Sequence, residues 1–311
     1  MNDLNPNVLV IVGPTAIGKT ALAVDLSEYF DIEIVSADSR QLYRYMDICT
    51  AKPDNTQRLR VPHHFIDHIN PDETYNAAQY AREALPVIQS IFDRGKQPVI
   101  VGGSGLYIRA LIDGFFEGVD NNEIVRAEIR KQIDSEGIVS VFEELRQNDP
   151  ETANRLHISD VQRIERALEV FRVTGKPLSQ WHKETQSKFP WNSLWVGLDC
   201  DRTKLYQRIE MRVDQMIEQG VIGETEMLLE RGYSENLISM QSLGYREIIA
   251  YLKGTMDCDT MVRLFKQGSR NYAKRQLTWF RKNERIRWIM TDKNSPEKIL
   301  DNTLKHFNLN K

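Results

Sequence analysis

The first hundred residues alternate between short apolar runs and longer amphipathic stretches. The apolar runs fill residues 8–12, 32–36 and 98–101, and another follows at 194–198. Runs of this length that are rich in β-branched residues are typical of strands buried in a parallel sheet. Stretches such as 74–94 repeat apolar residues every three or four positions and predict helices. The pattern therefore predicts an α/β fold, with a parallel sheet flanked by helices.

Strand-like runs disappear in the middle of the chain. Amphipathic periodicity replaces them and predicts three helices, at 123–136, 139–146 and 160–174. We therefore expect an all-helical insertion domain at 115–190, within a core domain formed by 1–114 and 191–311. After the insertion, the pattern predicts helices from Arg202, from Gln241 and over 260–282, and a strand at 285–290.

A glycine-rich turn follows the first predicted strand. Gly13 and the segment Gly18-Lys19-Thr20 occupy the fixed positions of the G-x-x-x-x-G-K-[ST] phosphate loop, and a helical pattern follows. The amides of such a turn bind anions, Lys19 adds a positive charge, and Thr20 offers a hydroxyl to Mg²⁺. The motif predicts a polyphosphate site in a P-loop NTPase-like fold, and an ordinary strand–helix turn is the alternative. It does not indicate which polyphosphate binds.

Two further turns follow predicted strands. Asp38 comes directly after the strand at 32–36, and Ser104 lies in the glycine-rich turn after the strand at 98–101. Because the carboxyl ends of parallel strands meet at one edge of the sheet, we expect both turns beside the phosphate loop. Asp38 is placed where a general base would act, although a helix cap is an equally good interpretation.

Composition limits the class of protein. The 311 residues are 41% hydrophobic and 27% charged, as in a globular protein, with a net charge of −3. No run of 18 apolar residues and no signal-peptide pattern occur, so we expect neither a membrane span nor secretion. The three cysteines are far apart, which argues against zinc or disulfides and fits the cytoplasm. His63 and His64 alternate sides in a strand predicted at 61–69, which argues against a histidine metal site.

Basic residues gather on two predicted helices. Arg208 and Arg212 are four residues apart and share a helix face, which is either solvated or binds an anion between the two side chains. The last long helix carries Lys274, Arg281 and Trp279. Interleaved basic and aromatic residues suit a phosphate backbone with exposed bases, so this helix is a candidate RNA contact.

Seven blocks, in order, resemble those of the bacterial tRNA dimethylallyltransferases, the isopentenyltransferases that modify adenosine 37 beside the anticodon. They are GPTAIGKT (13–20), SADSRQLY (36–43), TAKP (50–53), VGGSGLY (101–107), QR (162–163), GYRE (244–247) and KRQLTWFRK (274–282). The resemblance covers essentially the whole chain. One departure is Ser104, where the family commonly has threonine. Serine keeps the hydroxyl, so we expect its role to survive.

The resemblance implies transfer of a dimethylallyl group from dimethylallyl diphosphate to the N6 amine of adenosine 37. Asp38 is then the general base, Ser104 binds near the amine, and Thr20 holds Mg²⁺. The implied diphosphate contacts are Gly13, Pro14, Thr15, Ala16, Ile17, Gly18, Lys19, Thr20 and Arg212. The implied contacts with the anticodon stem-loop of tRNA are Ser39, Arg40, Gln41, Arg126, Gln162, Arg163, Ile164, Glu165, Arg166, Gly244, Tyr245, Arg246, Lys274, Arg275, Gln276, Trp279 and Arg281. We expect a cytoplasmic monomer.

Two other functions share parts of this pattern. A P-loop kinase of a nucleoside or small metabolite would use the same fold and phosphate loop. It would need an arginine-bearing lid over ATP and would have no use for a basic C-terminal helix. An RNA-binding NTPase or adaptor would keep the basic helix but would not need Asp38 and Ser104 beside the phosphate loop. Nucleotide-stimulated loss of ATP would favour either of these over prenyl transfer.

Overall fold

A parallel sheet lies at the centre of the part of the chain that the structure describes. The computed structural model describes residues 6–115, 122–184 and 186–307. Its strands are β1 (Asn7–Val12), β2 (Ile32–Ala37), β3 (His63–His64), β4 (Gln97–Gly102), β5 (Asn192–Asp199) and β6 (Ile286–Met290). Their order in space is β3-β2-β4-β1-β5-β6, and every pairing is parallel. The predicted parallel α/β sheet is confirmed.

Helices form most of the connections between these strands. In chain order they are α1 (Lys19–Leu26), α2 (Asn55–Arg60), α3 (Ala77–Asp93), α4 (Gly105–Asp113), α5 (Glu123–Glu136), α6 (Ile138–Asn148), α7 (Pro150–Arg155), α8 (Val161–Thr174), α9 (Leu178–Glu184), α10 (Arg202–Glu218), α11 (Val221–Glu230), α12 (Tyr245–Leu252), α13 (Cys258–Phe280) and α14 (Pro296–His306). Parallel strands require such crossovers, because the chain must return to the same end of the sheet each time.

Strand β1 is buried on both faces, which explains its uninterrupted apolar sequence. Residues 8–12 are at most 1% exposed. Leu22 and Leu26 of α1 pack in the same core cluster, and Phe307, directly after α14, belongs to it as well. A strand covered on both faces has no polar side to alternate with the apolar one. This packing holds the phosphate loop, which joins β1 to α1, on a rigid base.

Two predicted elements are shorter than the sequence pattern suggests. The strand expected at 61–69 is reduced to β3, because Phe65 and Asp67 have φ angles of +63° and +53°, which extended chain does not allow. The helix expected from Thr74 begins at Ala77. Asn76 caps it instead, and its side chain accepts the N–H of Gln79 at 2.9 Å.

The chain divides into two compact units. The first consists of Met1–Ile112 and Phe189–Lys311, and the second is Asp113–Lys188, two residues earlier at each end than the insertion expected at 115–190. The second unit contains α5 to α9 around its own apolar cluster, to which Ile129, Leu145 and Leu168 contribute fully buried side chains. Ile129 lies on α5, Leu145 on α6 and Leu168 on α8, so three helices contribute to this cluster.

Candidate active site

A cavity of about 1000 Å³ opens in the first unit at the carboxyl ends of β1, β2 and β4. Its wall includes residues 15–20 of the phosphate loop, the turn at 38–41 and Val101 of β4. Arg212 of α10 and Tyr272 of α13 also line it. The strand ends that the sequence predicted to converge therefore border one cavity.

The phosphate loop presents Lys19 to this cavity. Lys19 is the first residue of α1, and its Nζ donates a hydrogen bond to the carbonyl oxygen of Pro14 at 2.8 Å. Burial lowers the pKa of Lys19 to about 8, the Asp38 carboxylate opposes that shift, and Arg212 adds to it. Pro14 and Gly13 do not line the cavity. Pro14 instead orients the lysine.

Arg212 reaches the cavity, but Arg208 does not. Arg212 is largely buried, and burial lowers its pKa. Arg208 donates from Nη1 to the hydroxyl of Thr291 at 3.0 Å. The idea that an anion binds between the two arginines is therefore wrong, because Arg208 binds Thr291 while Arg212 lines the cavity. Arg212 and Lys19 are two of the cations that line the cavity.

Asp38 uses its two carboxylate oxygens differently. Oδ1 accepts the backbone N–H of Arg40 at 2.9 Å and that of Gln41 at 3.4 Å, which folds the chain into a turn rather than a helix. Among the described residues, nothing donates a hydrogen bond to Oδ2. Asp38 therefore closes a turn and does not cap a helix, so the helix-cap interpretation is wrong. Its carboxylate lines the cavity, and its role as general base stays a prediction.

Ser104 lies against the same turn. Its Oγ accepts the N–H of Ser39 at 3.0 Å and donates to the Oγ of Ser39 at 3.3 Å. Its own N–H donates to the carbonyl of Ala37 at 3.1 Å, directly before Asp38. These bonds fix the hydroxyl of Ser104 beside the carboxylate that the sequence predicts to be the base.

Tyr272 is a site residue that the sequence reasoning missed. Burial raises the pKa of its hydroxyl, the Asp38 carboxylate raises it further, and Arg40 and the hydroxyl of Ser104 oppose the rise. The phenol therefore stays protonated and can donate a hydrogen bond beside Asp38. Tyr272 lies four residues before Gln276 on α13, but it belongs to none of the seven blocks, and no motif marks it.

Gln276 joins the phosphate loop to the glycine-rich turn that carries Ser104. Its Nε2 donates to the carbonyl of Gly103 at 3.0 Å, and its Oε1 accepts the N–H of Thr15 at 2.9 Å. The residue is 6% exposed. This corrects its prediction as a tRNA contact, because both ends of the amide are already used inside the protein.

Two more predicted RNA contacts are buried at the start of α12. Gly244 has a φ of +92°, and a side chain there would collide with Cys49 and Phe265. Tyr245 is 0% exposed and donates its hydroxyl to Glu224 at 2.6 Å. The predictions for both are wrong, since neither can reach a ligand outside the protein. Gly244 lets the side chains of Cys49 and Phe265 approach its backbone closely. Tyr245 fixes the start of α12 through its hydrogen bond to Glu224.

Glu224 of α11 holds one wall of the cavity in place, which the sequence did not reveal. Its carboxylate accepts three consecutive backbone N–H groups, those of residues 47, 48 and 49, at 2.8, 2.7 and 3.2 Å. The next carbonyls, of Thr50 and Ala51, accept the Nε2 of Gln41 at 3.2 and 3.0 Å. Gln41, predicted to bind tRNA, is thus tied to this wall by its amide nitrogen.

In the helical unit, the predicted RNA contacts divide into exposed and buried side chains. Gln162 and Arg163 are exposed at the start of α8, and their role stays a prediction. Ile164 is fully buried in the apolar cluster of the unit. Glu165 is 7% exposed, and Arg130 binds its carboxylate at 2.8 Å. The structure corrects both of these predictions, because helical periodicity turns these two side chains inward.

Arg126 and Arg166 neutralise a buried carboxylate of the same unit. They approach Oε2 of Glu169 at 3.0 and 2.8 Å, and Glu169 is 0% exposed. Hydrogen bonds from Arg166 and Arg126 and from the N–H of Asn122 hold the pKa of Glu169 below its usual range against the opposing effect of burial. Their positive charges are therefore already partly compensated.

The basic residues of the first unit that were predicted to contact tRNA differ in their location and in their ion pairs. Arg40, Arg246 and Arg275 line the cavity. Lys274 is exposed and forms no ion pair with the described residues. Arg281 forms an ion pair with the buried Asp199 at 2.8 Å, so Asp199 already neutralises part of its positive charge.

Trp279 lies against the glycine-rich turn that carries Ser104. A Cβ built at Gly105 would lie 2.1 Å from the Cδ1 of the indole, so only glycine allows the ring this close. The indole remains 39% exposed. An exposed ring beside the site is available to stack on a base, and its role as an RNA contact stays a prediction.

The histidines near β3 have separate partners. His63 contacts the carbonyl of Val61, His64 contacts Glu33, and His68 contacts Glu83. Within the residues that the structure describes, no group of histidine, cysteine and acidic side chains could hold a metal ion. In the same residues, no helix combines the length and the apolar character that a membrane crossing requires.

Comparison with known proteins agrees with the resemblance. The family model for IPP transferase matches residues 41–283. The chain is 49% identical over 283 residues to tRNA dimethylallyltransferase 2 of Geotalea uraniireducens, covering 91% of each chain. It is 43% identical over 307 residues to the tRNA dimethylallyltransferase of Acetivibrio thermocellus, covering 97% of each.

Solved structures agree as well. The tRNA isopentenylpyrophosphate transferase of Bacillus halodurans is 36% identical, with a TM-score of 0.71 over 97% of both chains. A eukaryotic dimethylallyltransferase acting on tRNA is 26% identical, with a TM-score of 0.81 over 96% of this chain and 78% of that one. With this match over nearly its whole length, the chain belongs to the IPP transferase family.

Proposed function

We propose that this protein transfers a dimethylallyl group from dimethylallyl diphosphate to the N6 amine of adenosine 37 in tRNA. The observation that carries the proposal is the meeting of Lys19 and Asp38 at one cavity, with Ser104 hydrogen-bonded to the turn that carries Asp38. A cation for the leaving group and a base for the nucleophile are both needed there. Relatives that are named as tRNA dimethylallyltransferases support the same reaction.

The phosphate loop is suited to hold the diphosphate. Its backbone amides and the N-terminus of α1 favour an anion, and Lys19 and Arg212 add two cations beside it. As the bond between C1 of the prenyl chain and the diphosphate oxygen breaks, both electrons leave with the diphosphate. Cations already in place stabilise that developing charge without having to reorganise.

An apolar part of the cavity wall is suited to the prenyl chain. Ile48, Val213, Leu243 and Phe265 line the cavity and belong to one apolar cluster. A five-carbon chain in contact with them is removed from water, which also limits hydrolysis of the donor.

Asp38 supplies the base. The exocyclic amine of adenine is a weak nucleophile, because its lone pair is delocalised into the ring. As N6 forms its bond to C1, Oδ2 of Asp38 accepts the proton that N6 loses, and Ser104 and Tyr272 offer hydroxyl groups beside it. A base positioned in this way accelerates a reaction typically by about 10²–10⁴-fold.

Mg²⁺ fits the donor set around the phosphate loop. The hydroxyl of Thr20 lines the cavity beside Lys19, and hydroxyl and phosphate oxygens are the hard ligands that this ion prefers. When bound, the ion would neutralise charge on the diphosphate. The reaction needs tRNA, so we place the protein in the cytoplasm, and we expect it to act as a monomer.

The proposal is tested by transfer of label. Purified protein, Mg²⁺ and radiolabelled dimethylallyl diphosphate are mixed with unmodified tRNA, and label in the RNA is counted. We expect label with adenosine at position 37 and none when guanosine replaces it. Binding of the diphosphate without any labelled RNA would contradict the proposal, and phosphate transfer from ATP would then support a kinase.

A further inference from the structure

The loop that joins α11 to α12 exposes one large apolar side chain. Ile238 is 67% exposed, whereas its neighbours Ser239 and Met240 are 1% and 0% exposed. Single exposed apolar residues are ordinary on protein surfaces. Ile238 differs because the two residues that follow it are buried, so its side chain projects from a packed part of the loop.

Three contacts tie the loop to residues between β2 and α3. Arg40 donates from Nη1 to the carbonyl of Ile238 at 3.2 Å. The hydroxyl of Ser239 donates to the carbonyl of Pro71 at 2.6 Å. The guanidinium of Arg231 lies over the ring of Tyr45 at 4.2 Å from its centre. The position of Ile238 is therefore set relative to the turn that carries Asp38.

These contacts place Ile238 at the rim of the cavity. Arg40, which bonds to its carbonyl, lines the cavity, and so does Gln241, three residues further along the same loop. Arg246, also in the lining, is eight residues beyond Ile238 in the chain, and its Nε binds Glu247 at 2.6 Å. An apolar side chain among cationic and amide groups suits a ligand that offers phosphates and the faces of bases together.

The geometry points to Ile238 as the residue that packs against the base next to the target adenosine when the target leaves its stack. This inference rests on the proposed function, in which adenosine must enter the cavity. A base that is displaced for chemistry leaves a gap, and its neighbours lose a stacking contact. Apolar wedges, isoleucine among them, fill such gaps in proteins that unstack DNA. Ile238 is thus a positioning residue that makes the displaced state more favourable.

The test compares an RNA whose target adenosine is stacked on its neighbours with an RNA whose target adenosine lacks one neighbouring base. One RNA is an anticodon stem-loop, and the second carries an abasic residue beside the target adenosine. We expect Ile238→Ala to lower kcat/KM on the first RNA by about tenfold, equivalent to about 1.4 kcal/mol, and on the second by less than about twofold. Ile238→Leu, which keeps an apolar side chain, should stay near the wild type on both.

Leu59 provides the matched control. It is 88% exposed on α2 and does not line the cavity, so Leu59→Ala should leave both rates unchanged. Equal losses on both RNAs, or no loss on either, would overturn the inference. RNA affinity, measured by filter binding with diphosphate present, should show the same difference between the two RNAs. If the wild type labels neither RNA, the proposed function fails, and the affinities still decide the role of Ile238.

Discussion

At the scale of single residues, Asp38 combines a role in the fold with the chemical role that we propose for it. One oxygen accepts the N–H groups that close the turn after β2, while the other accepts no hydrogen bond from the described residues. The turn therefore orients the carboxylate that we propose as the base. These roles can be separated by a substitution that keeps the hydrogen bonds of the turn but removes the ability to accept a proton.

Asp38→Asn is that substitution. The amide oxygen can still accept the N–H of Arg40, but the side chain can no longer take a proton from N6. We expect single-turnover prenylation to fall by about 10²–10⁴-fold, with tRNA affinity within about twofold of the wild type. Rapid-quench measurement with saturating enzyme provides the rate, and Asp93→Asn, an exposed site, is the control. A near-normal rate in Asp38→Asn would remove the residue from the chemistry.

Lys19 makes binding of the donor depend on pH. Its pKa is about 8 without a ligand, and a bound diphosphate favours the protonated form, so the pKa rises on binding. Affinity is therefore full below pH 8 and falls as the pH rises above it, by up to about tenfold per pH unit. Titration of donor binding from pH 6.5 to 9.5 measures this.

The matched variant for that titration is Lys19→Arg, because a guanidinium stays protonated over this range. Its affinity at pH 7 can be lower than that of the wild type, but its profile should be flat. A flat profile for the wild type would show that Lys19 keeps its proton throughout.

At the scale of elements, helix α13 has two different sides. Gln276 faces inward and bridges the two glycine-rich turns, while Lys274 faces solvent on the same helix. Arg281, just beyond its end, pairs with Asp199 at 2.8 Å. The basic cluster seen in the sequence thus contains a structural cation and an uncommitted one, and RNA binding should distinguish them.

Lys274→Ala should weaken tRNA binding and reduce the slope of log K against log salt by about 1, as loss of one phosphate contact does. Arg281→Ala should change the slope less, because its charge is shared with Asp199, and should lower the free energy of unfolding by leaving that carboxylate unpaired. Affinity measured across a salt series, with Lys298→Ala on α14 as the control, tests both. Equal slopes for Lys274→Ala and the wild type would exclude Lys274 from the interface.

At the scale of the whole molecule, a buried carboxylate joins several elements at the edge of the sheet. Glu33 of β2 contacts His64 of β3 at 2.7 Å, Arg94 beyond α3 at 2.6 Å and Lys96 at 3.3 Å. Burial alone would raise its pKa, but the hydrogen bonds from these three partners hold the pKa of Glu33 below its usual value. Because the folded state holds this proton less tightly than the unfolded chain, the network links stability to pH.

The lowered pKa of Glu33 determines how its contribution to stability changes with pH. The stabilisation from Glu33 is present above its unfolded pKa and is lost as the pH falls through the lower pKa of the folded state. Glu33→Gln should therefore lower the free energy of unfolding at pH 7, and the difference from the wild type should shrink below about pH 4.5. Urea denaturation at several pH values measures it, with exposed Glu218→Gln as the control. A difference that does not change with pH would contradict the network.

The sequence alone determined the features that depend on local pattern. Apolar runs predicted the buried strands, because a strand covered on both faces admits no polar residue. The phosphate loop, Asp38 and Ser104 could be placed at one edge, because parallel strands all end there. The seven blocks pointed to the family, since catalytic groups are fixed both in type and in order along the chain.

Only the tertiary structure decided which residues of a block face the ligand and which support it. Gln276, Tyr245 and Ile164 lie in blocks that resemble RNA-binding segments, yet all three are buried, because a helix turns neighbouring residues to opposite sides. Tyr272 and Glu224 meet the site from helices distant in sequence, and no local pattern encodes such a meeting. Packing between distant segments, rather than residue type, decides these roles.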